Sequence, residues 1–529
     1  MDIGQKHWKI AFFCLLFLQL SLAVFFGTQK ESMHNDEFYS YYSTNGLHGL
    51  SLKDREWNDT ALLFQELIVT NEGRFHYANV YKNQEKDVHP PLYYFLLHTV
   101  CSLFPNMYSK WFGLVINLIF FILTFFLLGL LSYELTKDKI LVFLTCFLYG
   151  FSPGTLSGIV FIRMYMMLAF WFLLLSYVHL KMLKRRNSPF SRFQLFFLSF
   201  VILCGCLTQY YFLVFLFFIS FGYSLFLLRE KRWKEWILYG ISVLGSIFIA
   251  FFLYPASFSH IFTDYRGKDV QTAFWDQDVF LERLLYFFQL INEHSFYGTL
   301  IGIFLFFLVS FLILNIFLQK KWKSILSSIH PGFSILFLGT LGYFLIISKI
   351  TLMLGEESNR YFVPILGLLY FFLSFVFVWI FKNVDSIFST KGKGLKIGMA
   401  IVFLFFTSIY FLGYTHGHIL FLYPEQKEQI AFAKKHRESD VIVLSHNYWI
   451  WNNLNEIIQY KEIFYVQDDN MSPLIDERIQ KSSYLIAYVN NMEEEKTEPY
   501  LTFLKENTGM DSYELLYKTR FYDVYSFQR

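Results

Sequence analysis

The sequence specifies an α-helical polytopic membrane protein with about eleven transmembrane helices and a small C-terminal extracytoplasmic α/β domain, and three observations carry that reading. Of its 529 residues 55% are hydrophobic and only 16% are charged, whereas soluble domains run near a quarter charged. Apolar runs long enough to cross a hydrocarbon core about 30 Å thick recur through residues 1–414. Beyond Tyr423-Pro424 charges become frequent and short strand and helix patterns alternate. The formal charge of +3, from 45 basic and 42 acidic side chains, gives no concentrated basic face, so no nucleic-acid partner is expected. Cys14, Cys101, Cys146, Cys204 and Cys206 lie almost wholly in apolar runs, the placement of small core residues and not of a disulfide framework or zinc site.

Taken in order, the expected spans are 8–27, 111–133, 140–157, 164–182, 193–207, 211–228, 236–255, 298–317, 332–349, 361–381 and 397–414, the fifth being the shortest. The first is too long for a signal peptide and lacks a small-residue cleavage site, so it is expected to remain as an anchor. Stretch 91–104 is apolar but brief, and it reads as a helix lying on the outer surface. Basic residues then decide sidedness. Lys6/Lys9, Lys137/Lys139, Lys181–Arg192, Arg229–Lys234, Lys320–Lys323 and Lys382–Lys396 all fall on one face if 91–104 does not cross. That arrangement puts the N-terminus in the cytoplasm, the C-terminus outside, and the chain in a plasma (inner) membrane. The outer segments 28–110, 256–297, 350–360 and 415–529 are long and mixed, and they hold nearly every candidate for chemistry. Domain organisation follows: 1–414 is a transmembrane domain whose outer loop 28–110 carries the active site, and 415–529 is the exterior α/β domain. In the latter, 440–445, 461–466, 483–489 and 521–527 read as strands, with helices at 425–437, 448–459, 473–480 and 494–506.

Four constellations merit chemistry. Asp36-Glu37 follows the first span, where adjacent carboxylates repel and one can serve as a general base; taken alone, the pair reads more readily as a solvated loop. The segment Asp87-Val-His-Pro-Pro-Leu-Tyr-Tyr94 sets His89 beside the free N–H groups of a proline-started helix, a place suited to phosphate. Ser152-Pro-Gly is followed by Arg163-Met-Tyr165 at the outer end of a span. There an arginine either snorkels or holds a phosphate with its planar fork. Glu356-Glu-Ser-Asn-Arg-Tyr-Phe-Val-Pro364 repeats that placement with Arg360 and Tyr361. No carboxylate sits at the middle of a span, as ion-coupled transport often requires.

In this order and on this side, the motifs resemble the GT-C glycosyltransferases, specifically family 39-like membrane enzymes related to protein O-mannosyltransferases and the lipid A aminoarabinose transferase. The resemblance spans about residues 8–381 and leaves the tail uncovered. It implies a glycosyltransferase that moves a sugar from a polyprenyl-phosphate carrier to an extracytoplasmic acceptor. It also implies that Asp36, with Glu37 beside it, is the catalytic base, and that His89 meets the carrier phosphate. Arg163, Tyr165, Arg360 and Tyr361 are expected to complete the substrate-binding set, and a divalent cation near Asp36/Glu37 is left open. One departure stands out: Gly158-Ile-Val-Phe-Ile162 precedes Arg163 where relatives commonly carry a polar run. A transporter or flippase for a lipid-linked glycan is the competing class, and it requires polar groups along span interiors. Apart from isolated residues such as Asn117 these are missing.

Overall fold

The computed structural model describes residues 3–49, 52–184, 188–276, 279–318, 330–389, 392–446, 449–492 and 494–529. The basic cluster Lys320–Lys323 and Asp278 lie outside the described residues. The chain divides into two units. One comprises Met1–Thr28, Gln84–Leu96 and Lys110–Phe421, and the other Gln29–Asn83, Leu97–Ser109 and Leu422–Arg529.

The first unit is a bundle of apolar helices. Among the described residues nine are long and apolar enough to cross a bilayer: Lys6–Gln29, Lys110–Thr136, Tyr165–Lys184, Phe212–Arg229, Trp233–Leu253, Leu300–Phe317, Pro331–Ile350, Gly355–Phe388 and Lys393–Thr415. The expected span 140–157 is instead two helices, Lys139–Phe151 and Pro153–Val160, bent by 55°. Pro153 has no N–H to continue the ladder and its ring clashes with the preceding turn. Ser152 therefore takes an extended conformation and ends one helix as it starts the next. The expected span 193–207 is the 15-residue helix Arg192–Cys206. At 1.5 Å per residue it reaches about 22 Å, short of the hydrocarbon core. Among the described residues the bundle thus holds nine spans by length, or ten with the bent pair, where the sequence suggests eleven.

Charge pairs tie one end of this bundle. Glu134 meets Lys137 at 2.8 Å and Lys181 at 2.6 Å, and it also pairs with Lys184. Lys382 reaches Asp138, whose carboxylate caps helix Lys139–Phe151. Arg163 and Arg360 belong to the opposite ends of the same helices, since Arg163 precedes Tyr165–Lys184 and Arg360 lies in the first turns of Gly355–Phe388.

The second unit is built on a six-stranded sheet of order β1-β3-β2-β4-β6-β5, with strands Glu56–Asp59 (β1), Asp440–Ser445 (β2), Glu462–Gln467 (β3), Tyr484–Asn490 (β4), Ser512–Lys518 (β5) and Tyr522–Gln528 (β6). β2 pairs parallel with both β3 and β4, and the outer pairings are antiparallel. The four expected strands are β2, β3, β4 and β6. Their apolar residues, among them Ile442, Leu444, Phe464, Leu485 and Phe527, form the core with Leu504 of helix Thr497–Thr508. β1 comes from the first outer segment, so most of 28–110 belongs to this unit. Arg55 anchors it by donating to the carbonyls of Ser472 (2.6 Å) and Pro473 (3.0 Å), and Trp57 sits opposite Phe464.

Candidate functional site

Within the membrane unit, the bend at Pro153 carries the chain through helix Pro153–Val160 into an extended turn that presents Arg163. Asn117, the isolated polar residue of helix Lys110–Thr136, holds this turn: its amide donates to the carbonyls of Ile159 at 3.0 Å and Phe161 at 2.6 Å. Two glycines permit the close packing. A Cβ at Gly113 would stand 2.0 Å from Cγ2 of Ile162, and one at Gly158 would stand 2.7 Å from Cγ1 of Val363. The turn is thereby clamped from both sides.

Arg163 is 3% exposed. Its Nη1 donates to the Tyr94 hydroxyl at 3.0 Å, and Nη2 lies 3.1 Å from Nε2 of His89. Nδ1 of His89 is in turn 3.1 Å from Oδ2 of Asp87. Burial opposes ionisation of Asp87, but the neighbouring His89 and then Arg163 outweigh it and hold the carboxyl below its ordinary value. Arg360, 5% exposed, stands over the rings of Phe161 (5.6 Å) and Tyr361 (5.3 Å), an arrangement in which a desolvated guanidinium gains from the ring quadrupole. Tyr361 packs edge-on against Tyr165 (6.1 Å) and Tyr211 (5.8 Å), and its carbonyl accepts from the Tyr343 hydroxyl at 2.9 Å. His89, Arg163, Tyr165, Arg360 and Tyr361 thus belong to one continuous set of contacts at one end of the bundle. That end thus carries two buried guanidinium groups and an imidazole, side chains whose chemistry suits an anion.

Asp36 and Glu37 belong to the second unit, at the start of helix Asn35–Asn45. Glu37 is fully buried. It accepts from Lys30 Nζ at 2.8 Å, also fully buried, and from the His34 backbone N–H at 2.7 Å, which closes a capping box. The Asp36 side chain is 30% exposed. It lies in the first helical turn, where the unsatisfied N–H groups favour negative charge. The adjacent carboxylates therefore differ in kind, one fully buried against a lysine and one partly exposed, 3.8 Å from Nδ1 of His34. That donor set does not fit a divalent cation held by both, and among the described residues no three His, Cys, Asp or Glu side chains stand together as metal ligands.

Helix Asn35–Asn45 is itself fixed within its unit. The Tyr41 hydroxyl donates to the Ser109 carbonyl at 2.7 Å, Asn45 donates to the Leu67 carbonyl at 2.8 Å, and the N–H groups of Leu47, His48 and Gly49 converge on the Glu66 carboxylate. Sequence reasoning gave no role to Lys30, Asp87, Tyr94, Tyr211 or Tyr343. Only Asp87 carried a legible signal, standing two residues before His89.

The whole chain is similar in fold to ArnT from Cupriavidus metallidurans bound to undecaprenyl phosphate, with a TM-score of 0.51 at 9% identity over 96% of this chain and 97% of that one. The apo state of ArnT gives 0.49 at 10% identity, covering 99% and 98%. The Archaeoglobus fulgidus oligosaccharyltransferase complex with Zn and sulfate gives 0.46 at 13% identity, covering 94% and 70%. No family model and no curated protein matches the sequence. The class that the helices and this likeness define is a multi-pass membrane protein. Its particular architecture is the GT-C fold with a small C-terminal sheet, as the sequence motifs imply.

Proposed function

We propose that this protein is a glycosyltransferase that moves a sugar from a polyprenyl-phosphate carrier to an acceptor outside the cytoplasm. The observation that carries the reading is the pair of buried guanidinium groups, Arg163 and Arg360, at one end of a helix bundle that crosses the membrane. Two guanidinium groups with planar forks at the end of such a bundle suit an anion that itself lives in the bilayer, and a lipid phosphate is one. The ArnT structure of the same fold is bound to undecaprenyl phosphate, which supports the same carrier chemistry here.

The reaction is a single displacement. Asp36 takes the proton of the acceptor nucleophile, whose lone pair attacks the anomeric carbon as the bond from that carbon to the phosphate oxygen breaks. The electron pair leaves on the phosphate, and His89, Arg163 and Arg360 stabilise the charge that develops there, with Tyr165 and Tyr361 packed beside Arg360 as further substrate contacts. Electrostatic stabilisation of this kind often contributes more to catalysis than any other effect. One displacement inverts the anomeric configuration. Glu37 serves by fixing the turn that presents Asp36. The same reading sets the N-terminus in the cytoplasm of a cell with this protein in its plasma membrane and the C-terminal domain outside, because the basic clusters of the sequence then share the inner face.

The test uses membranes containing the full-length protein and a radiolabelled polyprenyl-phosphate sugar. Wild-type protein moves label from the lipid to an acceptor, and Arg163→Gln raises the donor KM and lowers transfer at least about 100-fold, the effect of removing a main stabiliser of developing charge. Label that crosses the bilayer while still attached to its lipid overturns the assignment in favour of a flippase.

A further inference from the structure

We infer that Asp87 and His89 form a proton-accepting dyad that couples binding of the carrier phosphate to uptake of one proton, with Asp87 as the positioning residue. The inference rests on the phosphate-binding role proposed for His89. Its basis is a hydrogen-bond direction. A guanidinium only donates, so the 3.1 Å contact from Arg163 Nη2 makes Nε2 of His89 the acceptor. The ring proton then sits on Nδ1 and points at Oδ2 of Asp87, 3.1 Å away. While it faces Arg163 the imidazole is neutral and of one fixed tautomer.

An arriving phosphate reverses that demand. Its oxygens only accept, and a lone pair on Nε2 repels them. Protonation at Nε2 turns the ring into an imidazolium that donates to the phosphate on one side and to Asp87 on the other, while Arg163 is released to the same anion. The proton comes from solvent, which the dyad reaches: the side chains of His89 and Asp87 are 20% and 26% exposed. Pro90 and Pro91 stiffen the turn, and the N–H of Leu92 is anchored to the Leu207 carbonyl at 3.0 Å. Ionisable neighbours among the described residues include Tyr94, whose hydroxyl accepts from Arg163 at 3.0 Å, Tyr210, whose hydroxyl feels the charge of Asp87, and His260, which meets the Tyr210 hydroxyl at 2.9 Å and the Glu85 carbonyl at 3.3 Å.

The experiment measures binding of decaprenyl methyl phosphate, a diester that does not titrate near neutral pH, to full-length protein in lipid nanodiscs across about pH 5.5 to 8.5. Uptake of one proton makes wild-type affinity fall about tenfold per pH unit on the alkaline limb. Asp87→Asn moves that limb about one pH unit or more toward acid. The variant then binds about tenfold more weakly at neutral pH and like wild type at the acid end. His89→Lys, permanently charged, gives a pH-independent affinity and rescues Asp87→Asn. A flat wild-type profile overturns the dyad, as does an Asp87→Asn loss equal at every pH, or a wild-type limb retained in His89→Lys, which decides the matter even where Asp87→Asn does not fold. Wild-type protein that fails to bind the diester at any pH removes the carrier-phosphate reading itself, whereas saturable but pH-flat binding removes the dyad alone.

Discussion

Replacing Lys30 by Met leaves the Glu37 carboxylate, which has no solvent exposure, without the ammonium 2.8 Å away. Removing one member of a buried ion pair costs about 3–5 kcal/mol, because the surviving charge stays out of water without its opposite charge. Glu37→Gln strands Lys30 at a similar cost. The double variant Lys30→Met/Glu37→Gln strands nothing, and its amide oxygen still accepts from the His34 N–H that Glu37 now holds at 2.7 Å. The double substitution should therefore cost at least about 2 kcal/mol less than the sum of the singles. Hydrogen exchange of the amides in helix Asn35–Asn45, measured in the full-length protein, reads the opening free energy directly. Transfer activity should follow the same order, each single variant being more impaired than the double, because Asp36 shares that helical turn. Single costs that simply add, within about 0.5 kcal/mol, would refute the argument that the two charges hold the turn together.

Further expectations concern both units. Glu456 is 1% exposed, and burial pushes its carboxyl up to about 7 although Tyr517, Tyr488 and Asn453 all donate to it. An acid whose folded value is raised stabilises the fold while protonated; stability is lost as pH rises from about 4.5 to about 7, a total of about 3 kcal/mol. Glu456→Gln should abolish this slope and leave the sheet domain more stable than wild type above pH 7, by up to about that amount, in exchange rates of β4 amides. Gly113→Val drives side-chain atoms into Ile162 and should destabilise the Arg163 turn by about 1–3 kcal/mol, seen as a weaker donor affinity with little change in the sheet domain. Asn117→Leu removes both donors to the turn's carbonyls, and it should raise the donor KM more than it lowers the thermal midpoint.

Much of this architecture was legible because lipid imposes a long apolar period that no other environment demands. Nine of the eleven spans, the four inner strands and the like placement of Arg163-Met-Tyr165 and Arg360-Tyr361 follow from hydropathy, alternation and position. Edge strands were not. β1 is four residues with charged ends, and β5 mixes exposed and half-buried residues without a buried face. Nothing local distinguishes such segments from loops, and their partners are set by distant strands. The break at Ser152-Pro153 was written in the proline, but the reading of one span there weighed hydropathy above backbone chemistry. Asn117 looked like an isolated polar residue because its acceptors lie about forty positions away. Glu37 looked like half of a carboxylate pair because the lysine that neutralises it stands seven residues back, on the other side of a turn. Burial and long-range hydrogen bonds, the quantities that separate a base from a buried anchor, have no local signature.

The central claim is that Asp36 performs the proton transfer while the arginine cluster separately holds the carrier phosphate. Asp36→Asn keeps the side chain's shape and removes its basicity, so donor affinity and single-turnover transfer measured on one preparation divide the two roles. Affinity within about twofold of wild type, with transfer slowed about 100-fold or more, is the expected result for loss of a general base. Transfer at the wild-type rate would contradict it.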